Sequence, residues 1–190
     1  MVHQELRLTG SGGQGLILAG IILAEAALYD GLNVVQSQSY GPEARGGASK
    51  AEVIISSKEI NYPKVIKCDL MLALTQTACD KYVDSIKPKG ILVVDKSISN
   101  IPIREDITIY VVPIIETARN SLGYPMVSNV IALGTIYELT KIVSKTSLEK
   151  AICNRIPRGT EELNLKALEE GYNLIRNHKE ECIGYGCRFN

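Results

Sequence analysis

The sequence contains no tryptophan, a single phenylalanine and two histidines among its 190 residues. A core must therefore be built from aliphatic side chains, which fits a hydrophobic fraction of 45%. Net charge is also lacking, because 21 basic residues balance 21 acidic residues. Such a protein has no general attraction for nucleic acid or for an anionic membrane, and it has little self-repulsion to oppose association with a partner. We expect neither nucleic acid nor a membrane among its partners.

We expect no targeting segment either. The amino-terminal residues do not show the basic and then apolar pattern of a signal peptide. The longest apolar run, residues 16–28, is too short to span a bilayer and contains Glu25, so we interpret it as a buried helix. The five cysteines are scattered and odd in number, which makes a poor disulfide framework. These features predict a cytoplasmic protein with reduced thiols.

Groups that usually carry catalysis are scarce. His3 and His178 lie near opposite ends of the chain without an evident partner. The cysteines lack the close spacing of an iron–sulfur site, and the Cys182–Cys187 pair is better interpreted as part of a reduced tail than as a metal or redox site. A serine nucleophile elbow and a thiamine diphosphate signature are also missing. We predict no catalytic residue and no metal site in this chain.

Short apolar runs alternate with helical patterns, which is typical of an α/β fold. Strands are predicted at residues 5–9, 33–37, 51–56, 69–74, 91–95 and 107–112. Helices are predicted at residues 14–29, 76–86, 114–121, 129–143, 147–155 and 160–178. We expect residues 57–58 to turn the third strand back as a hairpin and residues 87–90 to end the second helix.

No internal repeat or long linker divides the sequence, so residues 1–190 should form a single domain. Its architecture should be a mostly parallel sheet flanked by helices, with a Rossmann-like first strand-to-helix turn. The tail, residues 180–190, is expected to be mobile.

The first predicted strand runs into a glycine-rich loop. Gly10, Gly12 and Gly15 have the spacing of the dinucleotide fingerprint, between a strand and a helix. Glycines permit a tight turn and close backbone approach, while the free N–H groups and the helix dipole favour an anion. The alternative is a purely structural connection, but the context favours a phosphate-bearing ligand. The predicted binding residues are Gly10, Ser11, Gly12, Gly13, Gln14 and Gly15.

The identity of that ligand is narrowed by the residues after the loop. A nicotinamide-binding domain places an acidic residue at the end of the second strand, where this sequence has Gln-Ser-Gln-Ser at residues 36–39 and no acid before Glu43. NAD is therefore disfavoured. The P-loop spacing with its terminal Gly-Lys-Ser/Thr is missing too, which argues against an ATPase.

A second unusual segment comes after the second predicted strand. Residues 36–49 contain three glycines, a proline, Tyr40 and Arg45, and Lys50 comes directly afterwards. An arginine between small residues can bind a carboxylate or a phosphate with two parallel hydrogen bonds. It can equally pair with Glu43 or Glu52 in a surface turn. The residue chemistry alone leaves both interpretations open.

Residues 10–15 and 39–47, together with Tyr62-Pro63 and residues 129–134, resemble the gamma subunits of 2-oxoacid:ferredoxin oxidoreductases. The likeness extends from Glu5 to Leu174. Within that family the sequence looks most like the 2-oxoglutarate-type subunits. The pyruvate, ketoisovalerate and indolepyruvate types are near relatives and remain alternatives, as does a purely structural subunit.

The resemblance implies a complex that converts a 2-oxoacid, coenzyme A (CoA) and oxidised ferredoxin to acyl-CoA, carbon dioxide and reduced ferredoxin. Thiamine diphosphate and iron–sulfur clusters are expected on alpha-, beta- and delta-type partner chains, with ferredoxin contacted only indirectly. CoA is expected at the glycine loop, with Tyr40 and Arg45 as further binding residues. Relatives carry lysines where this sequence has Glu43, Ala44 and Arg45, so Arg45 or Lys50 is the candidate replacement.

Overall fold

The predicted apolar runs assemble into a single sheet in the computed structural model, which describes residues 2–39, 48–102 and 104–177 and the backbone of Cys182–Gly184. In chain order the strands are β1 (His3–Gly10), β2 (Asn33–Gln38), β3 (Ser49–Ser56), β4 (Cys68–Ala73), β5 (Ile86–Asp95), β6 (Thr108–Val112) and β7 (Cys182–Gly184). Across the sheet the order is β2-β3-β1-β4-β5-β6-β7. Among the described strands, only β3 and β7 run antiparallel to the other strands. The prediction of an α/β domain with a mostly parallel sheet is therefore confirmed.

Helices cover both faces of this sheet. They are α1 (Leu16–Tyr29), α2 (Gln76–Tyr82), α3 (Ile114–Glu116), α4 (Ser128–Thr140), α5 (Lys145–Arg155) and α6 (Glu161–Arg176). Short turns of other helix types extend α2 (Val83–Ser85), extend α3 (Thr117–Ser121) and precede α4 (Pro125–Val127). Of the helices that the structure describes, none is both long enough and apolar enough to cross a bilayer.

The strands supply side chains to two cores because successive residues point to opposite faces. Leu70 and Leu72 of β4 enter the larger core, which the sheet shares with α1, α4, α5 and α6. Met71 and Ala73 enter the smaller core, where Cys79 of α2 packs. A strand buried on both faces needs apolar residues along its buried part, which explains why β4 shows no polar alternation after Asp69.

Two predicted boundaries were wrong. The helix predicted at residues 76–86 ends at Ser85, and β5 already begins at Ile86. Residues 87–90 do not end that helix but form an irregularity within β5, where the β4–β5 register shifts and Lys89 has a φ of 65°. Turn-forming residues here create a bulge inside a strand rather than a loop between two elements.

The hairpin predicted at residues 57–58 was also wrong. After β3 the chain does not return alongside that strand, because β4 pairs with β1 and β5 instead. The hairpin partner of β3 is β2, which precedes it. At the other edge of the sheet, the backbone of β7 pairs with β6, and the remainder of the predicted mobile tail lies outside the described residues.

Helices α4 and α6 pack at very close range through two glycines. A Cβ atom added to Gly171 would lie 2.2 Å from the carbonyl oxygen of Ile131, and one added to Gly134 would lie 2.4 Å from that of Leu168. Both obstructing atoms belong to helical backbone, so neither can move aside as a flexible side chain would. The spacing of the two helices therefore requires glycine at both positions.

We predict that Gly171→Ala lowers the free energy of unfolding by about 1–3 kcal/mol, because overpacking at this contact outweighs the better helix propensity of alanine. Urea denaturation followed by circular dichroism measures the change. Lys166→Ala, at an exposed position of the same helix, serves as the control and should change stability little. An unaltered midpoint for Gly171→Ala would contradict the close packing.

Candidate functional site

The glycine loop, residues 10–15, carries the chain from β1 into α1 with two residues in the left-handed region. Gly13 has a φ of 87° and Gly15 a φ of 71°, conformations that side chains with a Cβ rarely adopt. The side chain of Gln14 closes the turn, because its Oε1 accepts a hydrogen bond of 2.7 Å from the Ser11 N–H. Gln14 is therefore a structural member of the loop, and its side chain is occupied within the loop itself.

The loop lies where the order of the strands changes direction. From β1 the chain continues to β2 and β3 on one side, whereas β4 pairs with β1 on the other side. Just beyond the strands, the N–H of Leu74 donates to the carbonyl oxygen of Thr9 at 2.9 Å. The crevice outside the carboxyl ends of two such strands is the usual ligand site of an open α/β sheet.

Helix α1 begins in this crevice without a side-chain cap. Its N-cap residue Gly15 offers no side chain, and the first turn holds no acidic residue. The first helical hydrogen bond runs from the Ala19 N–H to the Gly15 carbonyl at 2.9 Å, which leaves the N–H groups of residues 16–18 without an intrahelical acceptor. Such groups, together with the helix dipole, form an anion-binding position.

A cavity of about 540 Å³ opens at this end of α1. It is lined by Ser11, Gly12, Gly13, Gly15, Leu16, Ile17, Leu18, Ile21, Ser39 and Ser49. The lining combines aliphatic side chains, serine hydroxyl groups and the backbone of the glycine loop. No charged side chain occurs among these described lining residues.

Asn129 holds the loop from the side of α4, a role that the sequence analysis missed. Its side chain is 5% exposed, and its Nδ2 donates a hydrogen bond of 3.3 Å to the Gly15 carbonyl. A Cβ atom on Gly15 would lie only 2.6 Å from that Nδ2. The motif at residues 129–134 was noticed only through its resemblance, because a contact between residues 114 positions apart leaves no local signal.

The second motif, residues 39–47, has residues at or beside both of its ends that line the same cavity. Tyr40 and Arg45 lie outside the described residues, so their predicted roles stay predictions. Ser39 and Ser49, on either side of that segment, both line the cavity. The described chain therefore brings the glycine loop and the flanks of the second motif together, as the resemblance implied.

Lys50 points away from the cavity. It follows Ser49 in β3 and so faces the opposite side of the sheet, where its Nζ lies 3.0 Å from Oε1 of Glu52. The same Glu52 oxygen accepts from Nε of Arg7 at 2.8 Å, and both of these side chains are buried. As a replacement for the lysines that relatives carry where this sequence has Glu43, Ala44 and Arg45, Lys50 is badly placed, since its charge is committed to Glu52.

Two of the described thiols are unsuited to chemistry. Cys68 and Cys79 are buried, and burial raises the pKa of each thiol to about 11. Both thiols therefore stay protonated near neutral pH, and they pack as small apolar side chains, as predicted. Within the described ranges, no group of three or more potential ligand side chains could hold a metal ion.

Comparison with known proteins matches this arrangement to a family. The pyruvate ferredoxin/flavodoxin oxidoreductase family matches residues 5–174. The chain belongs to this family. The 2-oxoglutarate synthase subunit KorC of Methanocaldococcus jannaschii is 51% identical over 92% of this chain and 95% of its own length.

Two solved structures from the same family agree in fold. The keto/oxoacid ferredoxin oxidoreductase gamma subunit of Geobacter sulfurreducens is 47% identical with a TM-score of 0.86, covering 94% of this chain and 99% of that one. The 2-oxoglutarate:ferredoxin oxidoreductase of Magnetococcus marinus, solved with 2-oxoglutarate, coenzyme A and succinyl-CoA bound, is 26% identical with a TM-score of 0.84. There the match covers 93% of this chain but only 32% of the longer chain.

We predict that Glu52→Gln lowers the free energy of unfolding by about 3–5 kcal/mol, because it leaves the buried Arg7 guanidinium without its countercharge. Chemical denaturation measures the loss. Lys50→Met removes the more exposed cation from the same carboxylate and should cost less than about 1 kcal/mol. Equal losses in the two variants would contradict the assignment of Arg7 as the essential partner of Glu52.

Proposed function

We propose that the protein is the gamma-type subunit of a cytoplasmic 2-oxoglutarate:ferredoxin oxidoreductase. The complete enzyme converts 2-oxoglutarate, CoA and oxidised ferredoxin to succinyl-CoA, carbon dioxide and reduced ferredoxin. The near full-length similarity to a 2-oxoglutarate synthase subunit supports the substrate class. The Magnetococcus marinus enzyme, whose structure holds 2-oxoglutarate, CoA and succinyl-CoA, supports the same chemistry for its relatives.

The function of this chain within the complex is to bind and position CoA. The observation that carries this proposal is the uncapped start of α1 at Gly15, which opens into the cavity of about 540 Å³. A CoA phosphate placed there gains about 0.3–1 kcal/mol from the helix dipole, or up to about 2 kcal/mol if partly buried. Each charge-assisted hydrogen bond from the backbone adds about 1.5–3 kcal/mol before desolvation costs.

The walls of the cavity suit the rest of the same ligand. Ile17, Leu18 and Ile21 offer an aliphatic surface for the less polar parts of CoA, and Ser39 and Ser49 offer hydroxyl groups. Since the described lining has no charged side chain, phosphate binding there relies on backbone N–H groups. Tyr40 and Arg45 remain the proposed additional contacts, Arg45 to a phosphate or to a carboxylate of another subunit.

Catalysis belongs to the partner chains in this proposal. Thiamine diphosphate, bound by partners of the alpha, beta or delta type, supplies the decarboxylation chemistry, and their iron–sulfur clusters pass electrons to ferredoxin. The glycine loop contributes orientation, because it fixes the phosphate end of CoA and so restricts where the thiol can lie. Holding a reactant in position can lower a barrier by several kcal/mol without any acid or base from this chain.

We predict that Gly12→Val raises the KM for CoA about tenfold to a hundredfold, the loss expected for about one charge-assisted hydrogen bond. Gly12 is exposed, and the positive φ angles of the loop lie at Gly13 and Gly15, so the fold should tolerate valine. The measurement is 2-oxoglutarate- and CoA-dependent viologen reduction by the reconstituted complex.

Two controls keep the result interpretable. Asn33→Val, at an exposed position that begins β2, should leave the KM for CoA unchanged. Size-exclusion chromatography should show that the Gly12→Val subunit still assembles. Loss of assembly in Gly12→Val would make the loop structural, and an unchanged KM in an intact complex would remove CoA binding from this chain.

A further inference from the structure

A tyrosine of the smaller core holds the backbone beside the glycine-loop cavity. The hydroxyl of Tyr82, the last residue of α2, donates a hydrogen bond of 3.2 Å to the carbonyl oxygen of Ala48. Ala48 is 2% exposed, and the next residue, Ser49, lines the cavity. Tyr82 packs against the smaller core, whereas α1 belongs to the larger core on the other face of the sheet. Tyr82 therefore supports the lining of the cavity without being part of it.

The hydrogen bond acts where the chain enters the sheet. The pairing of β1 with β3 ends at Gly10 and Ser49, so Ala48 lies just outside the paired register. Within a ladder, neighbouring strands supply the partners of the main chain, whereas a buried carbonyl beyond the ladder needs another donor. Tyr82 supplies a donor to Ala48, one residue from Ser49. We therefore expect the orientation of Ser49 to depend on this contact.

The ring of Tyr82 is itself held in place by two cations. Cζ of Arg7 lies 5.7 Å from the ring centroid, and Nζ of Lys50 lies 5.8 Å from it. Both cations pair with Glu52, and Arg7 also donates through Nη2 to the carbonyl oxygen of Val65 at 2.6 Å. Cations that are fixed by their own partners give the ring fixed surroundings. The hydroxyl is therefore preorganised as a donor before any ligand binds.

The same cluster also connects a second serine of the cavity to the first. Ser37 of β2 donates a hydrogen bond of 3.4 Å to Oε2 of Glu52. Two residues later, the Ser39 N–H donates to the backbone carbonyl of Lys50 at 3.2 Å. Ser39, which directly follows β2, and Ser49, which begins β3, are thus linked through one network. A displacement at the start of β3 therefore affects both of these hydroxyl groups.

Packing alone does not require a hydroxyl at residue 82. Phenylalanine would fill nearly the same volume against the smaller core and would keep a ring between the two cations. What the hydroxyl adds is the hydrogen bond to Ala48, and with it a fixed position for Ser49. A binding site needs such support, because a contact residue that is displaced by about 1 Å loses much of its contribution.

We propose that Tyr82 is a positioning residue for CoA, which acts through the Ser49 hydroxyl. Tyr82 does not contact the ligand. It holds Ser49 so that the serine hydroxyl can bond a hydrogen-bond acceptor of CoA in the cavity. This inference rests on the proposed function, because it assigns to the same cavity a residue that determines its affinity for CoA.

Tyr82→Phe tests the proposal, because it removes the hydroxyl and keeps the ring. In CoA-dependent viologen reduction by the reconstituted complex, the KM for CoA should rise about two- to tenfold, the effect of losing one neutral hydrogen bond. The kcat at saturating CoA and the KM for 2-oxoglutarate should stay unchanged, because the contact serves CoA binding only. An unchanged KM for CoA, or a loss of assembly in size-exclusion chromatography, overturns the proposal.

Tyr29→Phe is the matched control. It also removes a tyrosine hydroxyl that donates a hydrogen bond, here of 2.6 Å to Oε1 of Glu25. Tyr29 is the last residue of α1, whereas the cavity opens at the start of that helix. The KM for CoA should therefore not change. An equal rise in Tyr29→Phe and Tyr82→Phe would indicate a general loosening of the domain and would contradict a specific role for Tyr82.

A double-mutant cycle shows whether Tyr82 acts through Ser49. Ser49→Ala removes the hydroxyl that Tyr82 positions and should raise the KM for CoA by a similar factor. Adding Tyr82→Phe to Ser49→Ala should then change the KM little further, because no hydroxyl remains to be positioned. Multiplied effects in the double variant, or no effect of Ser49→Ala alone, overturn the proposal.

Failure of this inference can be told apart from failure of the proposed function by the Gly12→Val variant. If Gly12→Val raises the KM for CoA and Tyr82→Phe does not, the CoA role stands and the positioning role of Tyr82 is overturned. If Gly12→Val leaves that KM unchanged in an assembled complex, the proposed function itself has failed, and the inference falls with it.

Discussion

The amide of Asn129 donates a hydrogen bond to the carbonyl oxygen of Gly15, at the residue where the chain turns from the glycine loop into α1. This contact demands glycine, because φ is 71° and a Cβ atom would lie 2.6 Å from the donor nitrogen. It fixes where α1 starts, and hence where the N–H groups of its first turn point. The cavity opens at this start of α1, and the positive end of the helix dipole lies there.

Asn129 can only serve in this way if α4 is itself fixed. The contact between Gly134 and Gly171 sets the distance between α4 and α6, with backbone against backbone. A larger residue at either position would displace α4 and carry Asn129 away from Gly15. A helix pair on one face of the sheet therefore influences the geometry of a loop at the carboxyl ends of the strands. Glycine has two separate roles here, a left-handed turn at residue 15 and a close helix contact at residues 134 and 171.

Local patterns were sufficient to predict six of the seven described strands, most helices and the position of the glycine loop, but they missed β7 in the segment that was expected to be a mobile tail. They failed where a long-range partner decided the outcome. Residues 57–58 have the composition of a turn, yet β3 pairs with β2 and β1 because those strands complete the sheet around it. Residues 87–90, Lys-Pro-Lys-Gly, have the composition that usually ends a helix. The strand β5 nevertheless continues through them, because it pairs with β4 on both sides of this segment. The position of Lys50 followed from strand alternation and could have been predicted, whereas the Asn129 contact could not.

The charge distribution around the site connects the two proposals. On the far face of the sheet, Arg7 and Lys50 both pair with the single carboxylate of Glu52, so neither of these two cations is directed towards the cavity. The described residues that line the cavity offer backbone and uncharged side chains, which a partner can cover at a small desolvation cost. Covering it excludes water and strengthens the hydrogen bonds from α1 to a phosphate. Linkage then requires that CoA and the partner chain each increase the affinity for the other by the same factor. In the proposed role, the subunit thereby makes binding of the thiol substrate conditional on assembly.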